Sequence, residues 1–158
     1  MVVFARMMVA VDGSEPSLFA LEKAAQLARG GDSELTILMV VPDLPPLAVE
    51  EFAPYSFPVY LEGLEKAAEE ALGRLDGGVR GRYPGLRTVP LVMRGNPAKV
   101  IVFAAQARDV GLIVVGNRGM GAIASWMLGS VSRQVVESCT VPVMVVKDER
   151  FCAAEQGV

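Results

Sequence analysis

Residues suited to holding an anion are concentrated in one stretch of the chain. Gly116-Asn117-Arg118-Gly119-Met120-Gly121 places three glycines within six residues, and ten residues after Gly119 the pair Gly129-Ser130 precedes a helical pattern. Glycines at this density let backbone N–H groups turn inward and approach a ligand closely. A helix opening at Gly129-Ser130 would add its first N–H groups and its dipole, both of which favour negative charge. Ser130 and Ser132 supply hydroxyl donors, and Arg118 is the only charged residue between Val110 and Ser132. The pattern suits a polyphosphate gripped on both sides of a short excursion. A tight turn and a helix stop would use the same glycines, and glycine count alone does not separate the two readings. Simple motifs fail here. A dinucleotide fingerprint needs glycine spacings of two then three after a first strand, whereas here they run three then two after a fourth. A P-loop needs lysine and a hydroxyl where Ala122-Ile123 stand.

Composition removes other chemistries. The chain has 158 residues and no histidine, which excludes Ser-His-Asp and Cys-His mechanisms, HExxH and His-containing zinc sites. Its two cysteines, Cys139 and Cys152, are too few for a four-thiolate zinc site or a disulfide scaffold and read as reduced thiols. A net charge of -3, from 18 acids and 15 bases, argues against nucleic acid as a main partner. No run of 18 apolar residues is present to span a membrane, and Met1 to Val11 reads as a first strand rather than a signal peptide. The expectation is a cytoplasmic single domain over residues 1–148. The weak pattern of the tail at 149–158 leaves disorder open.

The elements that must position the glycine-rich stretch follow from hydrophobic runs and their punctuation. A buried strand at Met7–Val11 ends at Asp12-Gly13-Ser14, with Ser14 as N-cap and Pro16 in the first turn of a helix that Gly30-Gly31 should stop. A second strand covers Leu35–Val41. Pro42 to Pro58, with five prolines and three aromatics, reads equally as a functional lid or a variable surface loop. A solvated helix is expected from Val59 to about Leu75, broken by Asp76-Gly77-Gly78. Strands at Leu86–Met93, Leu112–Val115 and Pro142–Val146 alternate with helices at Pro97–Arg108 and Ser130–Ser138. The bases Arg80, Arg82, Arg87, Arg94 and Lys99 fall on several of these elements and should not form one patch. Strand–helix alternation with apolar strands implies a parallel sheet covered on both faces, whose ligands sit beyond the carboxyl ends of the strands.

In this order of elements, Gly116-x2-Gly119-x9-Gly129-Ser130 resembles the nucleotide-binding signature of the universal stress protein family. The resemblance extends to Asp12-Gly13-Ser14, Leu38-Met39-Val40-Val41, Gly95-Asn96-Pro97 and Val141-Pro142-Val143-Met144-Val145-Val146. It implies a Rossmann-like α/β fold with an open five-stranded parallel sheet in the order 3-2-1-4-5, and a homodimer joined through the last strand. It also implies the ATP-binding branch of the family, acting as a stress sensor, with Mg or Mn bridging the phosphates and no metal held by protein. Carried onto this chain, Asp12 matches the acid that contacts the nucleoside and Val40 the residue whose backbone recognises adenine. Gly116, Gly119, Gly129, Ser130, Val131 and Ser132 match positions that contact ribose and phosphate. Asp12 reads also as a turn residue and Val40 as a buried strand valine. The motif does not fix Arg118, for which phosphate contact is an open reading. No catalytic residue is implied. A slow ATPase, or a dimeric scaffold for another adenine nucleotide, are the alternatives. Two departures stand out: Gly111-Leu112 where the family often has Asp-Leu, and Met39 where it often has histidine.

Overall fold

The computed structural model describes residues 3–43, 57–118 and 128–147. Along the chain run β1 (Arg6–Val11), α1 (Glu15–Gly31), β2 (Glu34–Val41), α2 (Phe57–Arg82), β3 (Arg87–Arg94), α3 (Pro97–Ala107), β4 (Leu112–Gly116), α4 (Ser130–Ser138) and β5 (Val143–Val146). The five strands pair in the order β3-β2-β1-β4-β5, and every pairing is parallel. This is the expected sheet. Its order reverses between β1 and β4, which makes the gap between their carboxyl ends the place where such sheets hold ligands.

Alternation along the strands sorts the core into two layers. Met7, Val9, Leu35, Ile37, Leu112 and Val114 pack with Ala20, Leu21, Ala24, Ala25 and Ala28 of α1 and with Leu72 and Val79 of α2. Met8, Leu38, Ile113 and Val115 face the other way, onto Ala98, Ile101, Ala104 and Ala105 of α3 and Val135 of α4. Helices therefore cover both faces. Val9, Ile37 and Val114 are fully buried. Burying a side chain of this kind contributes about 1.5–3 kcal/mol.

The first helix ends at Gly31, as expected, with Asp32 in the left-handed region (φ 53) as its cap, its N–H reaching Ala28 O. The expected end of the second long helix is corrected. Asp76-Gly77-Gly78 does not break α2, which runs on to Arg82. Val79, fully buried, draws that last stretch against the core. Arg80 ties it to β3, donating from Nε to Thr88 Oγ1 (2.8 Å) and from a terminal nitrogen to Thr88 O (3.2 Å), while pairing with Asp76 at 3.0 Å. The real stop is Tyr83-Pro84-Gly85, where Gly85 takes φ +83. The basic residues of this region form no common patch. Arg80, Arg82, Arg87 and Arg94 pair separately with Asp76, Glu22, Asp32 and Glu65.

Candidate functional site

The site grows from the carboxyl ends of β1, β2 and β4. After β1 the chain must turn sharply into α1, and Gly13 at φ +82 supplies the turn. Asp12 Oδ1 accepts from Ser14 N (2.9 Å) and from the Ser14 hydroxyl, and Ser14 Oγ in turn caps α1 by accepting from Ser17 N (3.4 Å). The exposed Asp12 carboxylate thus fixes the helix entry while standing at the end of a central strand.

Strand register sets what lies beside it. β1 and β2 pair as far as Val11↔Met39, so one further step puts Asp12 level with Val40. β1 and β4 pair through Val9↔Val114, and three further steps put Asp12 level with Asn117. The β1–β4 ladder itself stops at Val9↔Val114, so it is this count along the strands, not pairing, that lines up Val40, Asp12 and Asn117 across three neighbouring strand ends. Gly95 N donates to Val41 O (3.0 Å), so Val41 faces β3. Alternation then turns the Val40 carbonyl toward the β1 side, level with Asp12. Met39 is buried in the layer beneath α1 and α2, on the opposite face from Val40.

Beyond β4 the chain is fastened at three points. Ser132 Oγ donates to Gly116 O (2.7 Å), Gly129 N donates to Asn117 O (2.7 Å), and Asn117 N donates to Val146 O (2.9 Å). The first turn of α4 is thus pinned against the end of β4. Gly116 has a steric reason to be glycine. A Cβ there would lie 2.8 Å from Pro16 O and 3.1 Å from Ser17 N, where the backbone of α1 crosses it. Gly129 is the N-cap of α4 and offers no side chain to its N–H groups, whereas Ser14 and Asn96 cap α1 and α3 with side-chain oxygens. The first N–H groups of a helix have no partner within it. Those of α4 consequently point beyond β4 without a cap from its N-cap residue. Ser130 is exposed, Val131 packs on the second core layer and Ser132 is buried. Arg118 follows Asn117 and is half-buried.

The sequence-derived residues Asp12, Val40, Gly116, Arg118, Gly129, Ser130, Val131 and Ser132 thus all lie at or just beyond the ends of β1, β2 and β4, or in the first turn of α4. Gly119, and the reading of Met120, Trp126 and Met127 as apolar anchors, fall outside the described residues, as do most of the Pro42–Pro58 segment and the tail. Asn117 was not singled out from sequence. It is 4% exposed, and its Oδ1 has no hydrogen-bond partner among the described residues. Among those residues no three His, Cys, Asp or Glu side chains converge to hold a metal, and no helix is long and apolar enough to cross a membrane.

Residues 4–147 match the model of the universal stress protein family. Universal stress protein YxiE of Bacillus subtilis is 35% identical over 158 residues, covering 92% of this chain and 100% of that protein. The solved structure of universal stress protein UspA from Lactobacillus plantarum superimposes with a TM-score of 0.75 at 27% identity, covering 90% of this chain and 97% of that one. A universal stress protein solved in complex with cAMP shares the fold, with a TM-score of 0.63 and 24% identity over 91% of this chain and 97% of its own.

Proposed function

The chain belongs to the universal stress protein family, and from this premise we propose that it is a non-catalytic, ATP-binding regulatory module of the stress response, working in the cytoplasm as a homodimer joined along β5. The observation that carries the reading is the α4 N-terminus. Gly129 leaves it without a side-chain cap, and hydrogen bonds from Gly129 N and Ser132 Oγ hold it against the end of β4, beside the point where the sheet order reverses. A helix end presented in this way favours a phosphate by its free N–H groups and its dipole together. The row beside it suits a nucleoside. The Val40 main chain would take the adenine edge, Asp12 the ribose, and Gly129 to Ser132 the phosphates, with Gly116 and Gly119 letting the backbone approach. Arg118 has the sign to meet the phosphates. Mg or Mn would bridge phosphate oxygens rather than sit in a protein cage.

Phosphoryl transfer would need a base or a positioned water at the terminal phosphate. Asp12, the carboxylate of this row, is assigned here to the ribose, and one of its oxygens is engaged by Ser14, the N-cap of α1. Binding rather than turnover is therefore the proposed activity. Titration calorimetry of nucleotide-free protein with ATP, GTP and cAMP tests it. ATP should bind well above GTP. Equal affinity for ATP and GTP would remove adenine recognition, and no heat with any nucleotide would remove the reading altogether.

A further inference from the structure

Asn117 carries a hydrogen-bonding demand that its surroundings leave unmet. Both of its backbone groups are used, N–H to Val146 O and C=O from Gly129 N, and the residue is 4% exposed. Its side-chain Oδ1 is buried with no donor among the described residues. Buried polar atoms are nearly always satisfied, so an exception beside the candidate site is open to a donor from a bound ligand. Alternation along β4 turns Gly116 toward α1, as its contact with Pro16 requires, and Asn117 toward the α4 side with Val115. Counting on from the last pairs, Val9↔Val114 and Val11↔Met39, brings it level with Asp12, with Val40 on the far side of Asp12.

The unmet atom is an acceptor, and this selects among the groups of a nucleotide. Phosphate oxygens only accept. The donors of ATP are the adenine amino group and the two ribose hydroxyls. With adenine at Val40 and the phosphates at α4, the sugar lies between them, over Asp12 and Asn117. We propose that Asn117 is a ribose-recognition residue whose Oδ1 accepts a hydrogen bond from one of the vicinal hydroxyls, Asp12 taking the other. This rests on the ATP reading and adds to it a preference for ribonucleotides over their deoxy forms.

The test is calorimetry of ATP, 2′-deoxy-ATP and 3′-deoxy-ATP with the nucleotide-free full chain, as wild type, Asn117→Leu, Asn117→Ala and Asn117→Asp. Wild type should favour ATP over at least one deoxy form by about tenfold, the value of one hydrogen bond. Asn117→Leu and Asn117→Ala should bind ATP about tenfold more weakly and lose that discrimination. They should bind the affected deoxy form as wild type does. Asn117→Asp keeps an acceptor and should keep the preference, even if its charge lowers affinity for every triphosphate. Two substitutions of different shape guard against one failing to fold. An equal loss for all three nucleotides in both would assign Asn117 a structural role and overturn the proposal. Loss of the preference in Asn117→Asp would do the same, because the amide would then be donating. A folded wild type that binds ATP and both deoxy forms alike overturns the ribose role alone. One that binds none of them overturns the ATP reading as well.

Discussion

Gly129 has a backbone conformation, φ -62 and ψ 157, that any residue adopts. Its value as glycine is therefore neither the turn strain that fixes Gly13 and Gly95, at φ +82 and +140, nor the backbone contact that fixes Gly116. What glycine contributes here is an uncapped helix end. Replacing it with a capping residue should help the fold and harm the function. Gly129→Asp would offer a carboxylate to the first N–H groups of α4 and raise stability by roughly 0.5 kcal/mol. It would also set a negative charge where the proposed phosphates would sit. ATP affinity should fall roughly a hundredfold or more, read by calorimetry beside thermal melts. Unchanged ATP binding in this variant would move the phosphates elsewhere. The spacing of Gly116, Gly119, Gly129 and Ser130 was legible from sequence because it is a local pattern that a family repeats. Asn117 was not. An asparagine among glycines reads as a turn residue, and its burial depends on β5, about thirty residues further on, and on the register with β1, about a hundred residues earlier.

At the scale of elements, local punctuation located every strand and helix of the described regions but misjudged where one helix ends. In α2 the error has a physical cause: glycine propensity is weak beside tertiary burial. Gly73, Gly77 and Gly81 recur on one exposed side of the helix, and a Cβ added at any of them meets nothing within 4 Å. The helix persists because Leu72 and Val79 are buried and Arg80 grips Thr88. Tyr83, donating its hydroxyl to Glu22, fastens its end to α1. Those glycines therefore cost helix stability without a packing return. Changing all three to alanine should stabilise the protein by about 2 kcal/mol in total, at roughly 0.5–1 kcal/mol each. The melting temperature should rise by about 4–8 °C, measured by circular dichroism. A fall would mean that this face is covered by something that needs its smoothness. The order of the strands, unlike their positions, did not follow from periodicity. It was legible through the family resemblance, because five interchangeable apolar runs do not state who pairs with whom.

The two edges of the sheet are built differently. β3 has exposed arginines at both ends, Arg87 and Arg94, and an exposed proline, Pro90, in the middle. Because Gly95 N bonds to Val41 O, the odd-numbered residues of β3 face β2. Pro90 thus turns its missing N–H to the open side, a common guard against further pairing. β5 has no such guard. Pro142 O and Val146 O both accept from the β4 side, from Ile113 N and Asn117 N, so Val143 and Val145 direct their backbone groups outward along an uncharged apolar edge. An identical edge from a second copy would satisfy them by two-fold antiparallel pairing, which closes at two. Val145→Pro tests this without touching the β4 ladder, since the N–H it removes is an outward one. Symmetry counts the loss twice, about 2 kcal/mol in all. The dimer dissociation constant should rise roughly thirtyfold, read by analytical ultracentrifugation, with the monomer still folded. Met144→Pro is the contrast: it removes an inward donor, so it should lower the melting temperature of the protomer itself. A wild type that sediments as a monomer at micromolar concentration would rule the dimer out, and one that stays dimeric after Val145→Pro would place the interface on another surface. Asn117 gives the edge a further meaning, because its N–H ends the β4–β5 ladder while its carbonyl holds the N-cap of α4. The strand that would join two copies and the helix end that would hold phosphate are therefore fastened to the same residue.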